Sequence, residues 1–429
     1  MLNRVMRPVS HIFPQVGRNG RIVILAAALR TLDYGFISVF LGVYLSLLGF
    51  GVIQATLIFS SIMAGSALSN FLATFWGDRI GRKRMFIAMS VLMVGGGVVF
   101  SISSDYIVLL IVGVFAVTTS GGGDRTAFIS LDTAVLAENT SPSQRTVAFS
   151  CYNLATIFTR ALGSMMIGLP VLIQHDLIQQ SWVIDELDSY KVMFVLYTAI
   201  AAVGIPLYAR LSPDVEVRRR DSGESDAPQN APTPPAGTPS ARGLIYRMTG
   251  LSILDAFGGG FAVRAFVSYW FVTQFGIDLL EVTGIFFAAQ VLNVVSVALA
   301  APVAKRIGLV NTMAFTQVAA NLMFIGLALS TEVWLAVAFY LLHEVCNDMD
   351  VPARQSYTMA IVPAESRTAM ASMNNLGRNL AQTVSPAAAG VIAGIAYLGA
   401  PFLVGAVVKL VYNGLLLQMF RGIKPPEEG

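Results

Sequence analysis

The amino-acid sequence predicts an all-α integral membrane protein with twelve transmembrane helices in two pseudo-symmetric six-helix halves, and three observations carry that prediction. The chain is 55% hydrophobic and only 12% charged. A soluble domain has about half apolar and a quarter charged residues, and a soluble fold cannot cover this much apolar surface. The chain also repeats itself. Leu32-Asp33 returns as Leu254-Asp255, Phe50-Gly51 as Phe275-Gly276, Arg79-Ile80-Gly81 as Arg306-Ile307-Gly308, and Arg145-Thr146 as Arg367-Thr368, always 222 to 227 residues later. Finally, a helix needs about 20 apolar residues to cross the hydrocarbon. Cut at charged or Gly/Pro breaks, the apolar runs give spans near 21–48, 52–76, 85–103, 106–137, 146–173, 191–210, 244–275, 279–303, 311–329, 333–361, 368–395 and 399–420. A duplicated membrane chain of this kind places its transport site between the repeats, near the bilayer midplane.

Taken in order, the first twenty residues carry Arg4, Arg7 and Arg18 but no apolar run or small-residue cleavage site, so no signal peptide is expected. The breaks at 49–51 and 103–105 leave room only for tight helical hairpins. The longest break holds SGESDAPQNAPTPPAGTPSA, rich in Pro, Ser and small polar residues, which cannot bury a core and reads as a flexible linker. The expected domains are therefore an N-terminal half at 1–210, a linker at 211–243 and a C-terminal half at 244–429. Lys and Arg cluster on one side: Arg18, Arg21, the 79–84 group, Arg210, Arg218, Arg247, Lys305, Arg306 and Arg421 share it, whereas the opposite loops hold only Lys191. The positive-inside rule then puts both termini and the linker in the cytoplasm, with the protein in the cell's inner (cytoplasmic) membrane. Asp176, Asp185, Glu186 and Asp188 read as a solvated outer loop. Cys151 and Cys346 fall inside spans and read as small packing residues, with no disulfide framework or zinc pattern.

In the second inner loop, Gly77-Asp78-Arg79-Ile80-Gly81-Arg82-Lys83-Arg84 forms a compact basic turn. Gly81 permits a tight reversal, Asp78 can cap the positive end of a helix, and the arginines can reach helix carbonyl ends or lipid phosphates. The stretch resembles the loop 2-3 signature of the major facilitator superfamily, with Thr74 at the first glycine position and a worn second copy at Lys305-Arg306-Ile307-Gly308. With twelve spans, a 6+6 repeat and a central linker, the resemblance covers nearly the whole chain. It implies that Asp78, Arg79, Gly81 and Arg82 belong to a cytoplasmic gate rather than to a substrate site. The bland alternative is a topology determinant.

Spans two, three, six, eight and nine have no ionisable residue in their interiors. The others carry Arg30 and Asp33 (one), Asp124, Arg125 and Asp132 (four), Arg160 (five), Asp255 and Arg264 (seven), His343, Glu344, Asp348, Asp350 and Arg354 (ten), Arg378 (eleven) and Lys409 (twelve). A charge at the bilayer centre costs at least about 2.5 kcal/mol, so this partition marks a polar cavity. In the fold that the resemblance implies, all of these spans except the twelfth line or flank that cavity, and Lys409 is left without an account. Asp33, Asp255, Arg160, Arg378 and Glu344 sit near mid-span and, with Arg30 and Arg125, are the candidate proton and substrate residues. Burial favours the neutral form of a carboxylate, which a proton carrier requires. Each has a plainer reading too: Arg30 with Asp33, Asp350 with Arg354 and Arg125 with Asp124 can neutralise one another locally. His343, Glu344 and Asp348 resemble a metal-ligand set, but only Glu344 and Asp348 share a helix face, and no metal is assigned. Tyr34, Tyr44, Tyr152, Tyr269, Trp270, Phe286, Phe287 and Tyr357 are candidate cavity walls, although aromatic residues in membrane helices are more often packing or interface anchors, while Gly121–Gly123 and Gly258–Gly260 permit close approach and bending or serve ordinary close packing.

No nucleotide loop, nucleophile elbow or metal-spaced histidine pair is present, so an enzyme is not expected. The expectation is a monomeric secondary transporter without cofactor or nucleic-acid partner, embedded in lipid and moving a small molecule, with protons, by alternating access. Resemblance to proton-antiporting drug exporters favours efflux of small organic compounds. Anionic metabolites or oxyanions are the alternative, and a divalent metal such as iron the third.

Overall fold

The computed structural model describes residues 17–116, 121, 126–138, 140, 145–172, 186–216, 241–361 and 367–422. Their regular structure is helical: α1 (Arg18–Leu47), α2 (Val52–Ile80), α3 (Arg82–Ile102), α4 (Tyr106–Phe115), α5 (Ala127–Glu138), α6 (Arg145–Met165), α7 (Glu186–Ala209), α8 (Ala241–Gly260), α9 (Arg264–Phe275), α10 (Leu279–Ile307), α11 (Leu309–Ala328), α12 (Val333–Asn347), α13 (Asp350–Ala360), α14 (Arg367–Ile395) and α15 (Ala400–Phe420). Nine membrane-length apolar spans occur among the described residues. They correspond to predicted spans one to three, five to nine and twelve. Of span four the described residues form α4 and α5, span ten is broken into α12 and α13, and span eleven is the long but polar α14. Arg4, Arg7, Asp124, Arg125, Asp176, Asp185, Arg218 and most of the linker lie outside the described residues.

The repeat reappears in the helix starts. Val52 and Leu279, Arg82 and Leu309, and Tyr106 and Val333 are each 227 residues apart, and Arg145 and Arg367 are 222 apart. Gly81 and Gly308, the repeated glycines, take φ of 96° and 86°. Only glycine adopts that conformation without strain, so the same reversal joins α2 to α3 and α10 to α11. Packing repeats as well: α1 lies on α6 and α3 on α7, as α8 lies on α14 and α11 on α15.

Two ends can be distinguished. The terminal end carries Arg18, the 79–84 turn and Phe420; the far end carries the turns at 48–51 and 276–278. At the far end one core runs through both halves, bringing Phe40, Tyr44 and Phe194 into the same cluster as Trp270, Phe271 and Phe402. At the terminal end the cores are separate, one built from Phe86, Phe128 and Tyr208 and the other from Met248, Tyr357 and Tyr412. Lipid is as apolar as a leucine side chain, so close packing and hydrogen bonds must join the halves. Ser268 Oγ donates to the Val39 carbonyl at 2.6 Å and the Tyr269 hydroxyl to the Phe50 carbonyl at 3.1 Å. Ser46 and Thr273, repeat mates, meet at 3.5 Å. A Cβ at Gly42 would collide with the Ala265 carbonyl and Ser268 Oγ, so α1 approaches α9 this closely only because residue 42 is glycine.

Span seven is broken where Gly258–Gly260 precede Val263. The backbone turns at Phe261 and Ala262, Val263 is extended (φ −59°, ψ 144°), and α9 restarts at Arg264. The glycine run that permitted bending in sequence is thus a helix terminus in the structure. Its effect is to set the positive N-terminal end of α9 in the middle of the bundle.

Candidate functional site

Between the halves, level with the break in span seven, lies a cavity of about 220 Å3. The described residues that line it include five cations, Arg160, Arg264, Arg354, Arg378 and Lys409, and four carboxylates, Asp255, Glu344, Asp348 and Asp350. Every one except Arg160 comes from the C-terminal half. The expected polar cavity exists, but its charge is one-sided.

The charges form two groups. In the first, Asp255 Oδ2 accepts from Arg354 at 2.5 Å and from Arg378 at 2.8 Å, while Lys409 Nζ lies 4.0 Å from Oδ1. Asp350 is 3.6 Å from Arg354 and accepts from Gln317 at 2.9 Å. The local pairing of Asp350 with Arg354 therefore exists, but the shorter bond of Arg354 goes across to Asp255. Lys409 is placed at the cavity rather than at the periphery, because α15 packs against α8 and α11 and turns this side chain inward to Asp255 and Asn347.

In the second group, Arg264 at the start of α9 donates to Gln290 at 2.7 Å and stands 3.7 Å from Glu344. Asp348 accepts from Asn293 at 2.5 Å and from Asn347 at 3.0 Å, but has no cation within ion-pair distance among the described residues. Arg160, from α6, faces Glu344, Asp348 and Arg264. It makes no ion pair among the described residues, and its Nε is buried without a hydrogen-bond partner. Glu344 and Asp348 do share a face, as their spacing predicts. His343 also borders the cavity, but it is engaged with α11, its Nδ1 2.9 Å from the Ala320 carbonyl and its ring against Phe324.

Two of the sequence candidates are not brought to the cavity. Arg30 bonds Asp132 at 2.5 Å and Tyr208 at 2.7 Å, and its guanidinium lies over Phe128. Tyr152 donates a further bond to Asp132. The neutralising Arg30–Asp33 pair is not formed, since Arg30 reaches another helix. Asp33 is fully buried and neither of its oxygens finds a hydrogen-bond partner among the described residues. None of the eight aromatic residues expected as cavity walls lines it: Tyr34, Tyr44 and Trp270 are in the cores, for example, and Tyr269 is bonded to Phe50. The walls are instead Phe324, Tyr340 and Phe402. Sequence reasoning also passed over Gln290 with Asn293 and Gln317 with Asn321, amides three and four residues apart on spans otherwise free of charge. That spacing on one helix face was the available signal.

The basic turn has a local anchor. Glu216 accepts from the backbone N–H of Arg82 at 2.7 Å and of Lys83 at 3.3 Å, at the positive end of α3, while Lys83 Nζ donates to the Leu211 carbonyl. Arg82 is buried and points to the Val215 carbonyl, and Arg79 is exposed. Asp78 belongs to α2, but its side chain lies outside the described residues.

The sequence model of the Major Facilitator Superfamily matches residues 23–343. The chain belongs to that superfamily. It is thus a multi-pass membrane transporter rather than an enzyme. An uncharacterized membrane protein of Saccharomyces cerevisiae, YJR124C, is 23% identical to this transporter over 433 residues, covering 96% of each chain. Among solved structures it is similar to the nucleoside transporter NupG (TM-score 0.70, 13% identity, 94% of this chain and 100% of that one). It is also similar to the inward-open xylose transporter XylE from E. coli (TM-score 0.69, 15% identity, 95% and 98%). These identities speak to the fold alone, which agrees with the helix order described above.

Proposed function

We propose that this superfamily member is a proton-coupled secondary transporter of small organic solutes bearing an anionic group, working by alternating access. The observation that carries the reading is Arg160, a half-buried cation that faces the cavity, whose buried Nε has no hydrogen-bond partner and which makes no ion pair within 4 Å among the described residues. A charge so placed calls for a ligand of opposite sign, and a guanidinium suits a carboxylate or phosphate. The N-terminal end of α9, carrying Arg264, adds a second positive pole to the same space. About 220 Å3 is below the usual range for drug-sized ligands, roughly 300–1,000 Å3. This favours the organic-anion expectation over efflux of drug-like compounds, and the gradients of proton and solute then set the direction.

Asp33 is the proton carrier of this proposal. An unpaired charge at that depth costs at least about 2.5 kcal/mol, and binding a proton removes the cost. The two six-span halves, joined by the 211–243 linker, move as the alternating units, with the termini on the cytoplasmic side. The 79–84 turn, tied through Glu216 to the segment entering the linker, belongs to the gate. Asp33→Asn in proteoliposomes is expected to abolish uptake of 3-phenylpropionate driven by a pH gradient while leaving exchange of the same acid measurable. Full pH-driven uptake by the variant would remove Asp33 from the mechanism.

A further inference from the structure

We propose that the substrate is a small zwitterion, its anionic group held by Arg160 of the N-terminal half and its cationic group by Asp348 of the C-terminal half. The inference rests on the transport reading above and specifies its substrate class.

The four charges of the second cavity group are two arginines and two carboxylates. Only one contact among them is within ion-pair range, Arg264 to Glu344 at 3.7 Å. That leaves Arg160 and Asp348, one of each sign and both facing the cavity, with no ion pair within 4 Å among the described residues, either to each other or to another charge. Asp348 is held by two amide donors, Asn293 and Asn347, which orient its carboxylate without neutralising it. Both side chains are half-buried, where an unpaired charge is less well solvated than in open water, and a plain anion would satisfy Arg160 while adding repulsion at Asp348. A plain cation would do the reverse. A molecule that is neutral overall but carries both signs satisfies both ends at once. Phe324 and Tyr340 offer an apolar wall for its remaining carbon skeleton.

The placement also explains how binding can drive the cycle. Arg160 stands on α6 and Asp348 at the end of α12, so they belong to different halves, whose cores are separate at the terminal end. A ligand bridging them draws the halves together around itself, which a ligand held by one half cannot do.

The test uses the purified full-length protein in lipid nanodiscs and two matched series: alanine, propionate and ethylamine, and phenylalanine, 3-phenylpropionate and phenethylamine. Binding is read by calorimetry and by the shift in melting temperature. At least one amino acid is expected to bind tenfold or more tighter than both of its single-charge analogues. Arg160→Gln should weaken the amino acid and the acid at least tenfold and leave the amine unchanged. Asp348→Asn should weaken the amino acid and the amine and leave the acid unchanged. Arg160→Lys and Asp348→Glu, which keep the charges, should retain part of the affinity, and they carry the test if a neutral variant fails to fold. An acid that binds as tightly as its amino acid, with no effect of Asp348→Asn, overturns the zwitterion and leaves an organic-anion carrier. Failure of both amino acids and both acids to bind overturns the zwitterion and the transport reading together.

Discussion

In each half an ion pair joins the first span to the fourth, fully buried in the N-terminal half and partly buried in the C-terminal half, but the signs are exchanged. The N-terminal half uses Arg30 and Asp132; the C-terminal half uses Asp255 and Arg354. Asp132 and Arg354 are 222 residues apart, which is the repeat offset, and Asp255 lies about one turn past the place equivalent to Arg30. The surroundings differ more than the pairs do. Arg30 and Asp132 are sealed by Tyr208, Phe128 and Tyr152, whereas Asp255 and Arg354 open onto the cavity and recruit Arg378 and Lys409. Duplication has thus kept the location of the pair and changed its job. The first acts as a strut, and the second, on the function proposed above, is part of the site.

The largest effect expected from this contrast is on stability. Arg30→Gln strands Asp132, and removing one partner of a buried pair costs about 3–5 kcal/mol. Unfolding of the purified protein should show that loss, with most of it recovered when Arg30→Met is combined with Asp132→Leu. Wild-type stability together with lost ligand binding would mean that the N-terminal pair is a site as well. A smaller effect is expected from Asp255→Asn, because the remaining cations face a cavity that admits water and ions. About 1.5–3 kcal/mol, the usual worth of a hydrogen bond to a charged group, should be lost, and added sulfate should restore part of it. Stability that is indifferent to sulfate would show that the cluster is closed to anions. The smallest effect belongs to Lys409→Met. At 4.0 Å from Asp255, in a cavity open to water, it should change stability by less than about 1 kcal/mol, and a loss comparable with that of Arg30→Gln would reverse the assignment of strut and site.

What was legible in the sequence follows a physical rule. Features set by neighbours along the chain could be read: the repeat predicted the starts of α2 and α10, the reversals at Gly81 and Gly308, and the shared face of Glu344 and Asp348. The charge-free spans also pointed correctly to a polar cavity. Features set by helix rotation and long-range choice could not. Arg30 lies three residues from Asp33 but bonds a residue 102 positions away, and spacing on one helix cannot rank those partners. Lys409 was left without an account because the whole helix was assigned to the periphery, while its rotation decides where one side chain points. Phe324, Tyr340 and Phe402 carry no signal that separates a cavity wall from a core.

The central claim is that closure of the far end and closure of the terminal end alternate. Gly42 supplies the handle, since any side chain there collides with α9 and opposes the closed far end. Spin labels can be placed at Arg210 and Arg421, exposed at the terminal ends of the two halves, and in a second sample at Ile102 and Leu329, exposed at the far ends, after Cys151 and Cys346 are replaced. A destabilisation of the closed far end by about 1.4 kcal/mol shifts the conformational ratio roughly tenfold. Gly42→Val is therefore predicted to lengthen the 102–329 distance and shorten the 210–421 distance together. Lengthening at the far end with no shortening at the terminal end would contradict the account.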